Sequence, residues 1–210
     1  MPKQAAAMRA LDSVPIYVLG AGGHAAVVLD TLRAMGCACA GTAEIGDEAA
    51  LLAKPADSLV LANGLGGVGD TGPRRRAFER FKARGFRFMT LVHPGAIVAP
   101  SAVLGEGAQV MAGAVVQPEA RIGANAIVNT RAVVDHHCAV GAHCHIASGA
   151  TLASAVTVGE GAHVGAGATV IQRIAIGAGA LIGAGAAVVR DVPPGAVAMG
   201  VPATVRKARR

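Results

Sequence analysis

A two-part mixed α/β chain, with a small open-sheet unit followed by a parallel β-helix, is predicted by three observations. Aliphatic residues recur at every sixth position from Val98 to Val188. Ahead of them, two strand-like segments (14–19 and 58–62) each run into a glycine-rich turn and then a helix. Aromatic residues make up 2% of a chain that is 53% hydrophobic and holds 29 glycines, so its core is built of Val, Ile, Leu and Ala.

The sixfold recurrence is the strongest of these. Val98, Leu104, Val110, Val116, Ile122, Val128, Val134, Val140 and Ile146 open a series that continues without a miss to Val188. The residue two before each is nearly always small, as at Ala102, Ala126, Cys138 and Cys144, and the residue just after is often glycine, as at Gly105, Gly123, Gly141 and Gly159. A period of six fits neither the helix turn nor plain strand alternation. It fits a prism in which a short strand and a tight turn alternate and three such units close one coil. The aliphatic residue points inward, the small one fits the corner, and the glycine is expected to supply turn angles. Residues eighteen apart then stack at about 4.8 Å, and the repeat fills about five coils. Two prolines at Pro193-Pro194 end it.

The front unit, residues 14–92, reads as a β-α-β-β-α-β mononucleotide-binding half of a Rossmann-like domain. Val14 to Leu19 is a strand; Gly20-Ala21-Gly22-Gly23-His24 is the turn; a helix follows and stops at Gly36. Such a turn offers backbone N–H groups to a phosphate. Ala25 replaces the third glycine of the dinucleotide pattern, and Glu44 is the nearest acidic residue that could hold a ribose. Ser58 to Ala62 is a further strand, ending at Asn63-Gly64-Leu65-Gly66-Gly67. Thr71-Gly72-Pro73 starts a basic helix, with proline where helices accept it, and 86–92 gives a fourth strand. His93-Pro94 is the expected hinge into the prism domain, 93–204.

Net charge is +6, concentrated at Arg74-Arg75-Arg76 and in the tail Arg206, Lys207, Arg209 and Arg210. That balance suits a nucleotide phosphate or coenzyme A, or otherwise a solvated basic surface. The same balance would suit nucleic acid, but with no Trp and one Tyr the lack of aromatic interleaving counts against it, and no nucleic-acid partner is expected. No apolar run reaches membrane-spanning length, and residues 1–13 lack a signal-peptide core, so a cytoplasmic protein with no membrane partner is expected. The four cysteines show neither disulfide nor zinc spacing. Ionisable side chains cluster in one stretch of the prism, Asp135-His136-His137, with His143, His145 and His163 nearby, which suits general-base chemistry.

Taken together, Gly20-Ala21-Gly22-Gly23-His24, Asn63-Gly64, Val134-Asp135-His136 with Cys138 and Gly141, His145, and Gly200-Val201-Pro202-Ala203 resemble the bacterial PglD/NeuD-type sugar acyltransferases over residues 14–204. The resemblance implies a left-handed β-helix and a homotrimer with acetyl-CoA in the groove between neighbouring prisms. It implies that His136 is the general base, with His137 beside it, and that His145 lies near the thioester. Gly165, Ala166, Gly183 and Ala184 would line the rest of the acetyl-CoA path. Gly20, Gly22, Gly23, His24 and Gly64 would bind the nucleotide sugar. The implied reaction is N-acetylation of a nucleotide-linked 4-amino-4,6-dideoxy sugar, without a metal. The family usually carries Glu or Asp directly after the catalytic histidine; here that residue is His137, so Asp135 or Glu119, one coil below, are alternative orienting groups. Three other readings stay open: O-acetylation of a sialic-acid-type sugar, a non-catalytic binder of nucleotide sugars, and a zinc prism of the γ-carbonic-anhydrase kind.

Overall fold

The computed structural model describes residues 14–44, 46–67 and 69–206. The expected leader (1–13) and the residues of the basic tail beyond Arg206 lie outside the described residues.

The front unit is a four-stranded parallel sheet in the order β2-β1-β3-β4, formed by β1 (Ile16–Leu19), β2 (Cys39–Ala43), β3 (Val60–Asn63) and β4 (Arg87–Phe88). Helix α1 (Gly23–Ala34) joins β1 to β2, and α3 (Gly72–Lys82) joins β3 to β4. A one-turn helix absent from the expected order, α2 (Ala49–Leu52), lies between β2 and β3. Two apolar clusters hold the sheet: Val18, Val28, Leu32 and Val60 on one side, Leu61, Phe78, Phe81 and Phe86 on the other. No helix among the described residues is long and apolar enough to cross a membrane.

The segment expected as one fourth strand, 86–92, is divided. Arg87–Phe88 pairs with β3, whereas β5 (Leu91–Val92) pairs with Gln109–Val110 in the prism. The sixfold phase therefore starts at Val92, one repeat earlier than the sequence suggests. Coiling also continues past Val188, but with the phase shortened by two residues: Val192 bridges to Ile176, and Val197 pairs with Leu181 in the strand Val197–Met199. The prism accordingly has about six coils rather than five: its three faces are sheets of eight, six and five strands. The first face holds β5, Ile127–Val128, His145–Ile146 and His163–Val164; the second holds Val133–Val134; the third holds Ala139–Val140. Up to Val188, neighbours on a face are eighteen residues apart, as in His145 opposite His163. The interior is a continuous column of Ala, Val, Ile, Leu and Cys side chains.

The glycines after the aliphatic residues are not there for turn angles. Positive φ falls instead three residues after each aliphatic position from Leu104 to Ile182, as at Gly149 (φ 69), His137 (φ 60) and Asn125 (φ 56). Gly141 has no such angle; a Cβ there would sit 2.7 Å from the backbone N of Glu160 in the next coil. Close stacking of backbone on backbone requires it.

Candidate active site

The front unit packs on the first face of the prism and on the edge between the third and first faces, through a seam of buried polar groups. Two carbonyls, which only accept, fix the seam's polarity. Gln109 donates its side-chain N–H to the Asn63 carbonyl (2.8 Å), so its Oε1 faces His24, whose Nε2 must carry the proton of their 2.8 Å bond. Gly67 O lies 2.6 Å from His145 Nδ1, so that nitrogen is the protonated one. Asn129 accepts from the Thr130 N–H through Oδ1 (2.8 Å) and therefore turns its amide nitrogen to His145 Nε2 (3.0 Å). Burial holds both rings neutral: His24 and His145 are each pushed down to about 4, with the Arg74 charge adding to burial at both. His163 stacks edge-on over His145, ring centres 5.0 Å apart, and its Nδ1 is buried without a partner.

His24 and His145 thus meet in the seam, alongside the predicted substrate loops. Helix α1 begins at Gly23 with no side-chain cap, leaving its first N–H groups to a ligand or water. Nothing lies within 4 Å of a Cβ built on Gly22 or Gly23, so the mouth is open. Gly20 has φ 95 and abuts Leu65 and Gly64, which locks the first glycine-rich turn against the second. Gly64 is buried; a Cβ there would meet Leu19 O at 2.6 Å and Ala25 Cβ at 2.9 Å. Close packing of the β3 end on β1 and α1 accounts for glycine at that position without a ligand.

The four residues Gly165, Ala166, Gly183 and Ala184 lie on another part of the surface, the edge between the first and second faces. There Gly149 N–H donates to Thr130 O, Gly167 N–H to Ser148 O and Gly185 N–H to Ala166 O, forming a stacked column. An open groove of about 640 Å³ beside this column is lined by Thr130, Arg131, Ser148, Gly149 and Thr151. Asn129, the partner of His145, directly precedes Thr130, so the seam and the groove share a wall.

His136 and His137 stand on the edge between the second and third faces, both exposed. With eighteen residues to a coil, His136 and His145, nine apart, lie half a turn from each other on opposite sides of the prism. One chain does not bring them together. Of the three candidate orienting groups, His137 is the one that reaches the ring: the two Nδ1 atoms are 2.9 Å apart. Asp135 instead accepts the backbone N–H of His136 (2.8 Å), and Glu119 donates its backbone N–H to Ser101 Oγ (3.2 Å). Cys138 and Cys144 are buried, and Cys144 is pushed up to about 12 by burial, which makes a thiolate nucleophile unavailable. Among the described residues no three His, Cys, Asp or Glu side chains are grouped to hold a metal ion.

Sequence reasoning missed Arg74, Gln109, Asn125 and Asn129. Arg74 was grouped with a basic surface run, yet Arg74, Ala77, Phe78 and Phe81 are spaced i, i+3, i+4 and i+7, and all four are buried. That spacing was the available signal. Its neighbour Arg75 is exposed and pairs with Glu79 (2.7 Å) and Glu160 (2.6 Å).

No family model matches the chain. Among solved structures, the perosamine N-acetyltransferase of Caulobacter crescentus, crystallised as a His-to-Asn mutant with CoA and GDP-perosamine, is 38% identical with a TM-score of 0.87. The match covers 92% of this chain and 97% of that one. The chain belongs to the PglD/NeuD-type sugar acyltransferases. Another relative within this acyltransferase family, the acetyltransferase domain of PglB from Neisseria gonorrhoeae, is 35% identical at a TM-score of 0.84, covering 91% of this chain and 99% of that one. It has also been solved with acetyl coenzyme A. A curated relative, the UDP-N-acetylbacillosamine N-acetyltransferase of Bacillus subtilis (strain 168), matches at 49% identity over 45 residues; that stretch spans 21% of its length.

Proposed function

We propose that this protein transfers the acetyl group of acetyl-CoA to the amino group of a nucleotide-linked amino sugar, of the 4-amino-4,6-dideoxy class. The observation that carries the reading is the near full-length likeness to a perosamine N-acetyltransferase solved with CoA and GDP-perosamine. The nucleotide sugar would bind at the α1 N-terminus and the glycine-rich turns beside it; acetyl-CoA would follow the Thr130–Ser148–Ala166–Ala184 column. Because His136 lies half a turn from that column, its edge would meet the column of a second copy. This supports a homotrimer with three shared grooves.

In that groove the neutral amine attacks the thioester carbonyl. As the C–N bond forms, Nε2 of His136 takes the amine proton, and the imidazolium returns it to the departing sulfur as the C–S bond breaks. For Nε2 to be free, Nδ1 must carry the ring proton and donate to His137 Nδ1, so His137 stands where the family usually has a carboxylate. No covalent enzyme intermediate is needed. Positioning the two reactants supplies several kcal/mol of the barrier, and the base about 10²–10⁴-fold.

A thiol-release assay with acetyl-CoA against a panel of UDP-, GDP- and dTDP-linked amino sugars tests this. Release with at least one amino sugar, and none with its hydroxyl analogue, is expected, with mass spectrometry placing the acetyl group on nitrogen. Turnover of hydroxyl acceptors alone, or none across the panel, would overturn it.

A further inference from the structure

Arg74 has no part in the chemistry proposed above. Its side chain is 1% exposed. Nη1 donates to the carbonyls of Asn63 and Leu65, both at 2.7 Å, and Nε donates to the carbonyl of Asn125 at 3.0 Å. Nη2 is buried with no partner, and no carboxylate lies within ion-pair distance among the described residues. Burial brings the guanidinium down to about 9, so it remains a cation at neutral pH.

An unpaired buried cation costs several kcal/mol, and an apolar side chain of similar volume would often serve stability as well or better. Stability alone therefore does not explain arginine here; the three carbonyls do. One ends β3, one belongs to the loop that follows it, and one to a turn of the prism. A guanidinium presents N–H donors to all three in one rigid plane, which lysine cannot do. Asn63 reinforces the joint by donating to Arg74 O (3.1 Å) and to Asn125 Oδ1 (3.0 Å). Two residues after the clamped Leu65 comes Gly67, whose carbonyl fixes the His145 ring.

We propose that Arg74 is a positioning residue: it holds the loop 63–67 in register with the prism, so that Gly67 keeps His145 in its Nδ1–H form and turns Nε2 toward Asn129 at the wall of the groove. The substrate loop of the front unit and the groove on the prism are thereby linked through one buried cation. The kinetic part of the test rests on the proposed activity; the spectroscopic part does not.

The variants are Arg74→Lys, which keeps the charge but loses the fork, and Arg74→Gln, which removes the charge. ¹⁵N spectra of the histidine rings without substrate should show His145 as a single Nδ1–H tautomer in the parent protein and as a mixture of tautomers in either variant. In steady-state kinetics, the KM for the nucleotide amino sugar should rise about tenfold or more, as expected for losing hydrogen bonds to a charged group, and the KM for acetyl-CoA by a clearly smaller factor, because Arg74 holds the sugar loop directly and reaches the groove only through Gly67 and His145. A residue that only stabilises the fold would lower the melting temperature and leave both the tautomer and the KM ratio unchanged; that result overturns the proposal. So does failure of both variants to fold, because the contribution is then to stability as such. If the parent enzyme acetylates no nucleotide amino sugar, the proposed activity falls, and the ring spectra still decide the role of Arg74.

Discussion

At the scale of single residues, the proposed chemistry rests on an imidazole pair, His136 and His137, where the family usually has a carboxylate. His136 acts as a base at Nε2 when its ring proton sits on Nδ1, and the 2.9 Å contact to His137 offers that proton an acceptor. His136→Ala should lower kcat by about 10²–10⁴-fold with KM values little changed, since the loss falls on the transition state. His136→Asn should be similarly poor, because it can hydrogen-bond but cannot accept the proton. His137→Ala should cost severalfold or more, and His137→Asp should recover part of that loss. If His137→Ala works like the parent, the orienting role belongs elsewhere. Because a sugar amine is mostly protonated at neutral pH, kcat/KM should rise with pH until free amine and neutral base both dominate; a flat profile with chemistry rate-limiting would argue against a base.

At the scale of elements, the two glycine positions of the repeat make separable predictions. Gly141 is crowded by the backbone of the coil above, so Gly141→Val should cost about 3 kcal/mol or more through overpacking. Gly149 sits at φ 69 with nothing within 4 Å of a built Cβ, so Gly149→Ala should cost only about 1–2 kcal/mol of backbone strain. Thermal or urea unfolding of the two variants compares them directly. The first glycine-rich turn gives a cleaner functional test than its sequence implies. Gly22 has φ −79 and open space around it, so Gly22→Val should fold normally. It should raise the KM for the nucleotide sugar while leaving that for acetyl-CoA nearly unchanged. Equal shifts in both would remove the turn from the substrate site.

For the whole molecule, the seam and the association of chains are the tests. His24 and His145 are held near 4 in the folded protein against 6.5 in the unfolded chain. The unfolded state therefore takes up protons between about pH 6.5 and 4 while the folded state does not. Their contribution to stability is complete above pH 6.5 and is lost as the pH falls toward 4, on the order of 3 kcal/mol for the deeply buried His145. Urea midpoints measured across that window should fall, and His145→Gln should flatten the curve. Light scattering should give about 62 kDa, three times the 20.7 kDa chain. A monomer at micromolar concentration would remove the shared groove, since one chain sets His136 and His145 on opposite sides of the prism.

The amino-acid sequence by itself determined the β-helix, its phase and its inward column, because a repeat of Val98, Leu104, Val110 and their successors writes one local rule many times over. It also marked the first strand–turn–helix and the stretch around His136, where charge interrupts an otherwise apolar repeat. It did not show that Val92 already belongs to the prism, because 86–92 reads equally well as one strand and only pairing partners divide it. Nor did it show that Arg74 is buried while Arg75 is not, or that His145 turns to Gly67 and Asn129 while His136 faces outward. Those outcomes depend on contacts between residues 50 to 80 positions apart, such as Arg74 with Asn125 and Gly67 with His145. No local pattern encodes them; docking of the front unit on the first face decides them, because only then do buried carbonyls lose water and require these donors.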